Sequence, residues 1–109
     1  MIIRYADGTF SAPIVEPNDT GNFTLAKDID NSGRICGYYF DGSDVYYPYR
    51  GFFLSGTMFT EYGFGGENTY INGITDAGDF CGSLDFGYLQ ESFMTLADGW
   101  TVYFGIGSF

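Results

Sequence analysis

The chain contains no histidine, only four bases (Arg4, Lys27, Arg34 and Arg50), two cysteines and a single tryptophan. Each shortage removes a class of chemistry. Without histidine there is no Ser-His or Cys-His nucleophile pair and no ordinary zinc site. Four bases against 14 acids leave a net charge of −10, a surface that repels nucleic acid and anionic membrane and attracts a basic partner or cations. The deficit is uneven. Residues 1–50 hold all four bases and seven acids, a net of −3, whereas residues 51–109 hold seven acids and no base, a net of −7. No apolar run approaches the ~20 residues of a membrane span, and the first residues show no cleavable signal pattern, so a soluble chain with no membrane contact is expected. Gly63-Phe64-Gly65-Gly66 lacks the lysine and the following helix of a phosphate loop and reads as a linker. Nor does any stretch keep a 3.6-residue apolar period with caps, which leaves no substantial helix.

What the chain has in quantity is aromatic and glycine: 12 Phe, 10 Tyr and 17 Gly in 109 residues. Aromatics favour strands and glycine favours tight turns, so the mixture predicts many short strands in one small domain. The strands come as hairpins. Asp7-Gly8 separates Ile2, Ile3 and Tyr5 from Phe10, Ile14 and Val15, and Pro13 and Pro17 confine the returning strand to an edge. Phe23–Ile29 turns at Asn31-Ser32-Gly33 into Ile35–Phe40, and Gly51–Leu54 turns at Ser55-Gly56 into Met58–Phe64. Tyr70–Ile74 turns around Gly78 into Phe80–Phe86, and Ser92–Leu96 turns at Asp98-Gly99 into Trp100–Phe104.

These hairpins repeat. Ile29-Asp30-Asn31-Ser32-Gly33-Arg34-Ile35-Cys36-Gly37 returns 45 residues later as Ile74-Thr75-Asp76-Ala77-Gly78-Asp79-Phe80-Cys81-Gly82, with Ile, Gly, Cys and Gly in register. The second type of hairpin recurs at Gly8, Gly56 and Gly99. A period in the forties with four strands per unit is that of propeller blades and related arrays. The expected fold is therefore all-β, antiparallel hairpin repeats forming a propeller-blade-like or sandwich-like meander. Its divisions are a half unit over 1–22, one repeat over 23–66 and a second over 67–109.

Ile29–Tyr39 followed by Arg50-Gly51-Phe52-Phe53-Leu54-Ser55-Gly56-Thr57-Met58-Phe59-Thr60 resembles the HAF-type extracellular repeat, written around G-I-N-x-x-G-x-I-V-G-Y and then G-F-L-x-x-x-G-x-F-T. Asn72–Ser83 resembles it again, and Arg4–Phe10 is similar to its trailing half. Cysteine stands for the family's usual valine in both copies, and Ser92–Leu96 lacks the glycine of Gly51-Phe52-Phe53-Leu54. The resemblance implies tandem four-stranded repeats and an extracellular setting. Cys36 and Cys81, read as two buried and reduced thiols too far apart to bridge, point instead to the cytoplasm.

No catalytic constellation is present, and no cofactor or metal is implied. Among 14 acids no pair is singled out for glycosidase work, so enzyme activity is not expected. Asp28–Ile35 has the oxygens and the glycine of half a calcium loop, but Tyr39 stands at the twelfth position, where a bidentate glutamate is required. The candidate binding residues are the loop tyrosines Tyr46, Tyr47 and Tyr49 beside Asp41 and Asp44, since tyrosine offers a large amphipathic contact at small entropic cost. Glu61, Glu67, Asp76, Asp79 and Asp85 extend the acidic surface. Two functions follow as expectations: a non-enzymatic β-repeat module that binds a protein, or a glycan, through these tyrosines, and a small acidic inhibitor of the anti-CRISPR kind that mimics nucleic acid. A third is a propeller fragment with no activity of its own. An open array leaves sheet edges uncovered, and the uncharged end, Gly105–Phe109, makes self-association through the last hairpin the expected outcome.

Overall fold

The computed structural model describes residues 1–63 and 66–104, and among these there is no helix. The chain forms two antiparallel four-stranded meanders. The first is β1 (Thr24–Ile29), β2 (Ile35–Phe40), β3 (Tyr49–Ser55) and β4 (Met58–Tyr62); the second is β5 (Asn68–Ile74), β6 (Phe80–Asp85), β7 (Gln90–Thr95) and β8 (Thr101–Phe104). The all-β expectation and the four-strand unit both hold. Phe64 and Gly65 of the expected linker, and the Gly105–Phe109 end, lie outside the described residues.

The two units share local devices as well as strand order. Gly33 N–H donates to Asp30 O and Gly78 N–H to Thr75 O, at 3.1 and 3.0 Å, and both glycines are left-handed, with φ of 89° and 98°. A bulge interrupts β1–β2 pairing between Ala26 and Asp28, and another interrupts β5–β6 between Ile71 and Gly73. A bulge adds one residue to one strand and sharpens its twist, so both sheets bend at the same place.

Alternation along each strand gives each sheet two chemically distinct faces. On the first sheet, Ile35, Tyr39, Phe52 and Leu54 share one face, here termed leading. Met1, Ile3 and Ile14 of the N-terminal segment pack on it, together with Phe59. The opposite, trailing face carries Cys36, Phe53 and Tyr62 and rests on the leading face of the second sheet, on Ile71, Leu84, Phe93 and Phe80. Phe53 meets Phe80 edge-on with ring centroids 4.8 Å apart, and Tyr62 meets Phe80 at 5.0 Å. The sheets approach closely at Gly51, where an added Cβ would stand 2.6 Å from Ile71 Cγ1.

Two expectations need correction. The Met1–Val15 hairpin is not a pair of regular strands: only an isolated bridge joins Arg4 to Phe10, with backbone bonds from Tyr5 to Thr9, Ser11 to Ile3 and Ile14 to Met1. The Ser11 hydroxyl takes the Ile3 N–H at 2.9 Å, and Pro13 has no N–H to give, so the ladder cannot propagate. Cys36 is fully buried as expected, but Cys81 is exposed. Both are free thiols. The difference is one of layers: Cys36 has the second sheet on top of it, and Cys81 occupies the trailing face of that second sheet.

Gly37 and Gly82 decide whether the β1–β2 and β5–β6 hairpins close, because a Cβ on either would overlap the carbonyl oxygen of Leu25 or Tyr70. Backbone cannot yield there as a flexible side chain would. Gly37→Ala and Gly82→Ala should each lower unfolding free energy by about 2 kcal/mol or more, an overpacking cost. Urea denaturation measures it. Midpoints within error of the parent would reject the close approach.

Candidate functional site

The two sheets stack in register, so their equivalent loops gather at two ends of the molecule. One end holds the β2–β3 and β6–β7 loops. There Tyr46 and Val45 stand clear of the protein, 82% and 79% exposed, and Tyr88 is 81% exposed on the neighbouring loop. The loops touch: Tyr47 donates its hydroxyl to Phe86 O at 3.2 Å. Asp44 Oδ1 accepts from the N–H groups of Tyr46 and Tyr47, and Asp41 Oδ1 accepts from Ser43, which fixes the turn that presents Tyr46. Arg50 fastens both acids from below, Nε to Asp41 Oδ2 at 3.5 Å and Nη2 to Asp44 Oδ2 at 3.4 Å. The hydrogen bonds from the Ser43 hydroxyl and N–H hold the Asp41 carboxyl below its ordinary value. Asp85 accepts from Gly87 N–H at the base of the Tyr88 loop.

Of the sequence-selected residues, then, Asp41, Asp44, Tyr46, Tyr47 and Asp85 come together here. Tyr49 is close by but turned inward, its ring packed edge-on against Phe40 and Phe23 and tilted against Tyr70. Burial, with Asp85 adding to it, pushes the Tyr70 hydroxyl up to about 12. Tyr38 joins the same cluster and Tyr39 is fully buried, so neither presents itself. Asp76 and Asp79 sit at the opposite end. Asp76 takes the N–H of Asn31, its repeat equivalent, at 2.7 Å, and Asp79 takes Ala97 N–H at 2.8 Å. Glu67 is buried and bonded to Thr69. Glu61 is on the leading face of the first sheet.

Sequence reasoning missed Val45 and Tyr88, and it also missed Glu16. The repeat itself held the signal for Tyr88, since its loop is the second unit's counterpart of the tyrosine loop. Glu16 had none: a glutamate between Val15 and Pro17 reads as surface, yet it is 2% exposed. It sits against Glu61 and the Tyr39 hydroxyl, and its carboxylate accepts from Asn18 N–H at 3.1 Å. Asn18 donates its side-chain amide to Glu61. The Tyr39 hydroxyl lies beside both glutamates without closing a hydrogen bond of acceptable geometry. Burial, and then the Glu61 carboxyl, raise Glu16 to about 7. Its partner Glu61 is held below its ordinary value by the same contact and by Asn18. Of the two carboxyls, Glu16 is therefore the one that keeps its proton to the higher pH.

The half calcium loop is spent otherwise. Asp28 Oδ2 accepts Ile74 N–H across the sheet junction at 3.0 Å, and Asp30 caps its own turn through Ser32 and Arg34. Among the described residues no three His, Cys, Asp or Glu side chains are grouped to hold a metal ion, and no helix is long and apolar enough to cross a membrane. Compared with known proteins, the chain matches no family model, and neither a curated protein nor a solved structure is significantly similar to it.

The Glu16–Glu61 pair gives stability a pH dependence of definite sign. Glu16 has a higher pKa folded (about 7) than its ordinary 4.5, so the folded state binds the extra proton between those values. That contribution is fully present below 4.5 and is lost as pH rises through about 7. Glu16→Gln, neutral at every pH, should abolish the loss: equal to the parent near pH 4 and more stable than it near pH 8 by urea denaturation. A variant whose stability falls in parallel with the parent over that range would sink the assignment.

Proposed function

We propose that the chain is a non-enzymatic β-repeat module, two propeller-blade-like sheets of an open array, that binds a basic protein partner through the loop end bearing Tyr46. The observation that carries this reading is the pairing of exposed aromatics with immobilised acids. Tyr46, Val45 and Tyr88 project from touching loops, and Asp41 and Asp44 lie beneath them, held by Arg50. Exposed apolar residues rimmed by polar ones are the anatomy of a protein-binding patch. Because the loop is braced by side-chain caps, little ordering entropy remains to be lost on binding. The resemblance to HAF-type repeats belongs to the same proposal, as does an extracellular setting.

The rival reading, a nucleic-acid-mimicking inhibitor, is supported by the charge of −10. Against it, the acids are committed to local backbone. Asp7, Asp30, Asp41, Asp44, Asp85 and Asp98 each accept from an N–H within four residues. That is the chemistry of turns rather than of a phosphate-like ridge.

Tyr46→Ala and Tyr88→Ala baits, compared with the parent in a pull-down at low salt and at ~1 M salt, separate the two. At the higher concentration the Debye length shrinks to about 3 Å and exposed ion pairs fade. The tyrosine reading expects a partner retained by the parent at both concentrations and lost, at least tenfold, from the Tyr46 variant. A partner that leaves at high salt and ignores both tyrosine substitutions would establish the mimic instead.

A further inference from the structure

We infer that the trailing face of the second sheet is a docking surface for a second copy of this chain, which it meets head to tail at the uncovered corner of that copy's first sheet. Layer stacking inside one chain supplies the pattern. Trailing-face residues Met1 and Ile3 of the N-terminal half unit cover the first sheet, and Cys36, Phe53 and Tyr62 cover the second. Strand register gives the third term of the series. Cys81 pairs with Met94 and Met94 with Val102, as Cys36 pairs with Phe53 and Phe53 with Thr60. Hairpin bonding makes Ile3 the counterpart of Met94, because Tyr5 and Thr9 are joined as Leu96 and Trp100 are. Yet among the described residues Cys81, Met94, Val102 and Phe104 belong to neither buried cluster. Cys81 is exposed where Cys36 has no exposure, and Val102 and Phe104 are 45% and 48% exposed.

The complement is at the other end of the same chain. The half unit brings a single hairpin to the first sheet, whereas the first sheet brings four strands to the second. The β1 side of the first leading face is therefore bare: Ile29 is 55% exposed, while its counterpart Ile74 is half-buried. A groove of about 320 Å³ opens there, between Ile3 and Arg4 on one wall and Ala26, Lys27, Ile29 and Ile35 on the other. Charge selects the same pairing. Arg34 and Arg50 are taken by Asp30, Asp41 and Asp44, but Arg4 and Lys27 make no ion pair among the described residues, and both line the groove, where the acid beside them, Asp28, is committed to the Ile74 N–H. Residues 51–109 carry acids and no base. An acidic second sheet thus faces the two unengaged bases of its neighbour, and the β5–β6 end with Cys81 enters the groove. Joining unlike surfaces, this contact is heterologous and continues from copy to copy.

The test is complementation by light scattering. The parent should grow past two chains as concentration rises and shrink toward 12.1 kDa at high salt. Met94→Asp and the double variant Arg4→Glu with Lys27→Glu should each be monomeric alone, since each loses one of the two surfaces. Mixed in equal amounts, they should form a complex of two chains through the remaining intact pair. A parent monomeric at every concentration overturns the inference. So does a mixture that stays monomeric, or a base-reversed variant that dimerises as the parent does, which would mean two trailing faces meeting each other. Near-UV circular dichroism confirms that the variants fold, and Val102→Asp replaces Met94→Asp if that one does not. The parent itself gives an independent readout: thiol labelling of Cys81 should slow at least tenfold from dilute to concentrated protein while labelling of Cys36 stays slow throughout. Concentration-independent labelling of Cys81 would also count against the contact.

Discussion

Everything in this chain depends on the face-to-face contact between the two sheets. Each sheet needs a buried apolar face to offset the entropy of ordering its strands. The junction solves that with rings. Phe53, Tyr62, Phe80 and Phe93 interlock at centroid separations between 4.8 and 6.3 Å, mostly edge-on, the geometry in which a ring's positive rim meets a neighbour's negative face. Arg34 adds a guanidinium 5.3 Å from the Phe53 ring. Truncating a buried aromatic of this kind costs about 3–5 kcal/mol, several times what any one surface ion pair contributes, so the rings set the spacing and the polar contacts adjust to it.

The polar contacts nonetheless decide how the sheets are rotated. Asp28 to Ile74, Asn31 to Asp76, Tyr47 to Phe86 and Tyr49 to Asn68 all cross the junction, and the first two join a residue of one unit to its counterpart, or nearly so, in the next. Apolar packing is non-directional and would tolerate many rotations; four hydrogen bonds spread along the strands tolerate one. Register between the units is thereby transmitted to the loops, which is why Tyr46 and Tyr88 emerge at the same end.

The hairpins were legible because their signals are local. Gly33 and Gly78 needed left-handed φ, and the alternation of Phe, Tyr and Ile needed only neighbours along the chain. What escaped was set between layers. Cys81 and Cys36 share a local pattern, since both follow an apolar residue and precede glycine; Cys36 lies between the two described sheets, and Cys81 on the outer face of the second. Tyr47 and Tyr49 read as loop residues on offer, but the second unit engages both, Phe86 O taking the Tyr47 hydroxyl, and Asn68 and the Tyr70 ring meeting the Tyr49 backbone and ring. The first hairpin carried the right turn and failed as a ladder through one proline and one competing hydroxyl. Glu16 was invisible for a similar reason, because its burial arises when the half unit folds over Tyr39.

The two units differ most at the loop end that bears Tyr46. Between β2 and β3 the chain takes eight residues, 41–48, and between β6 and β7 only four, 86–89. Arg50 stands opposite Tyr39 in the first sheet, while Glu91 stands opposite Leu84 in the second, so only the first unit has a cation to gather two aspartates under its loop. A repeat kept solely for stacking has no use for that extra length, since exposed Val45 and Tyr46 bury nothing in the free protein and cost conformational entropy to hold. Three side-chain anchors on a solvent-facing aromatic loop make physical sense when the aromatic is to be buried by something else.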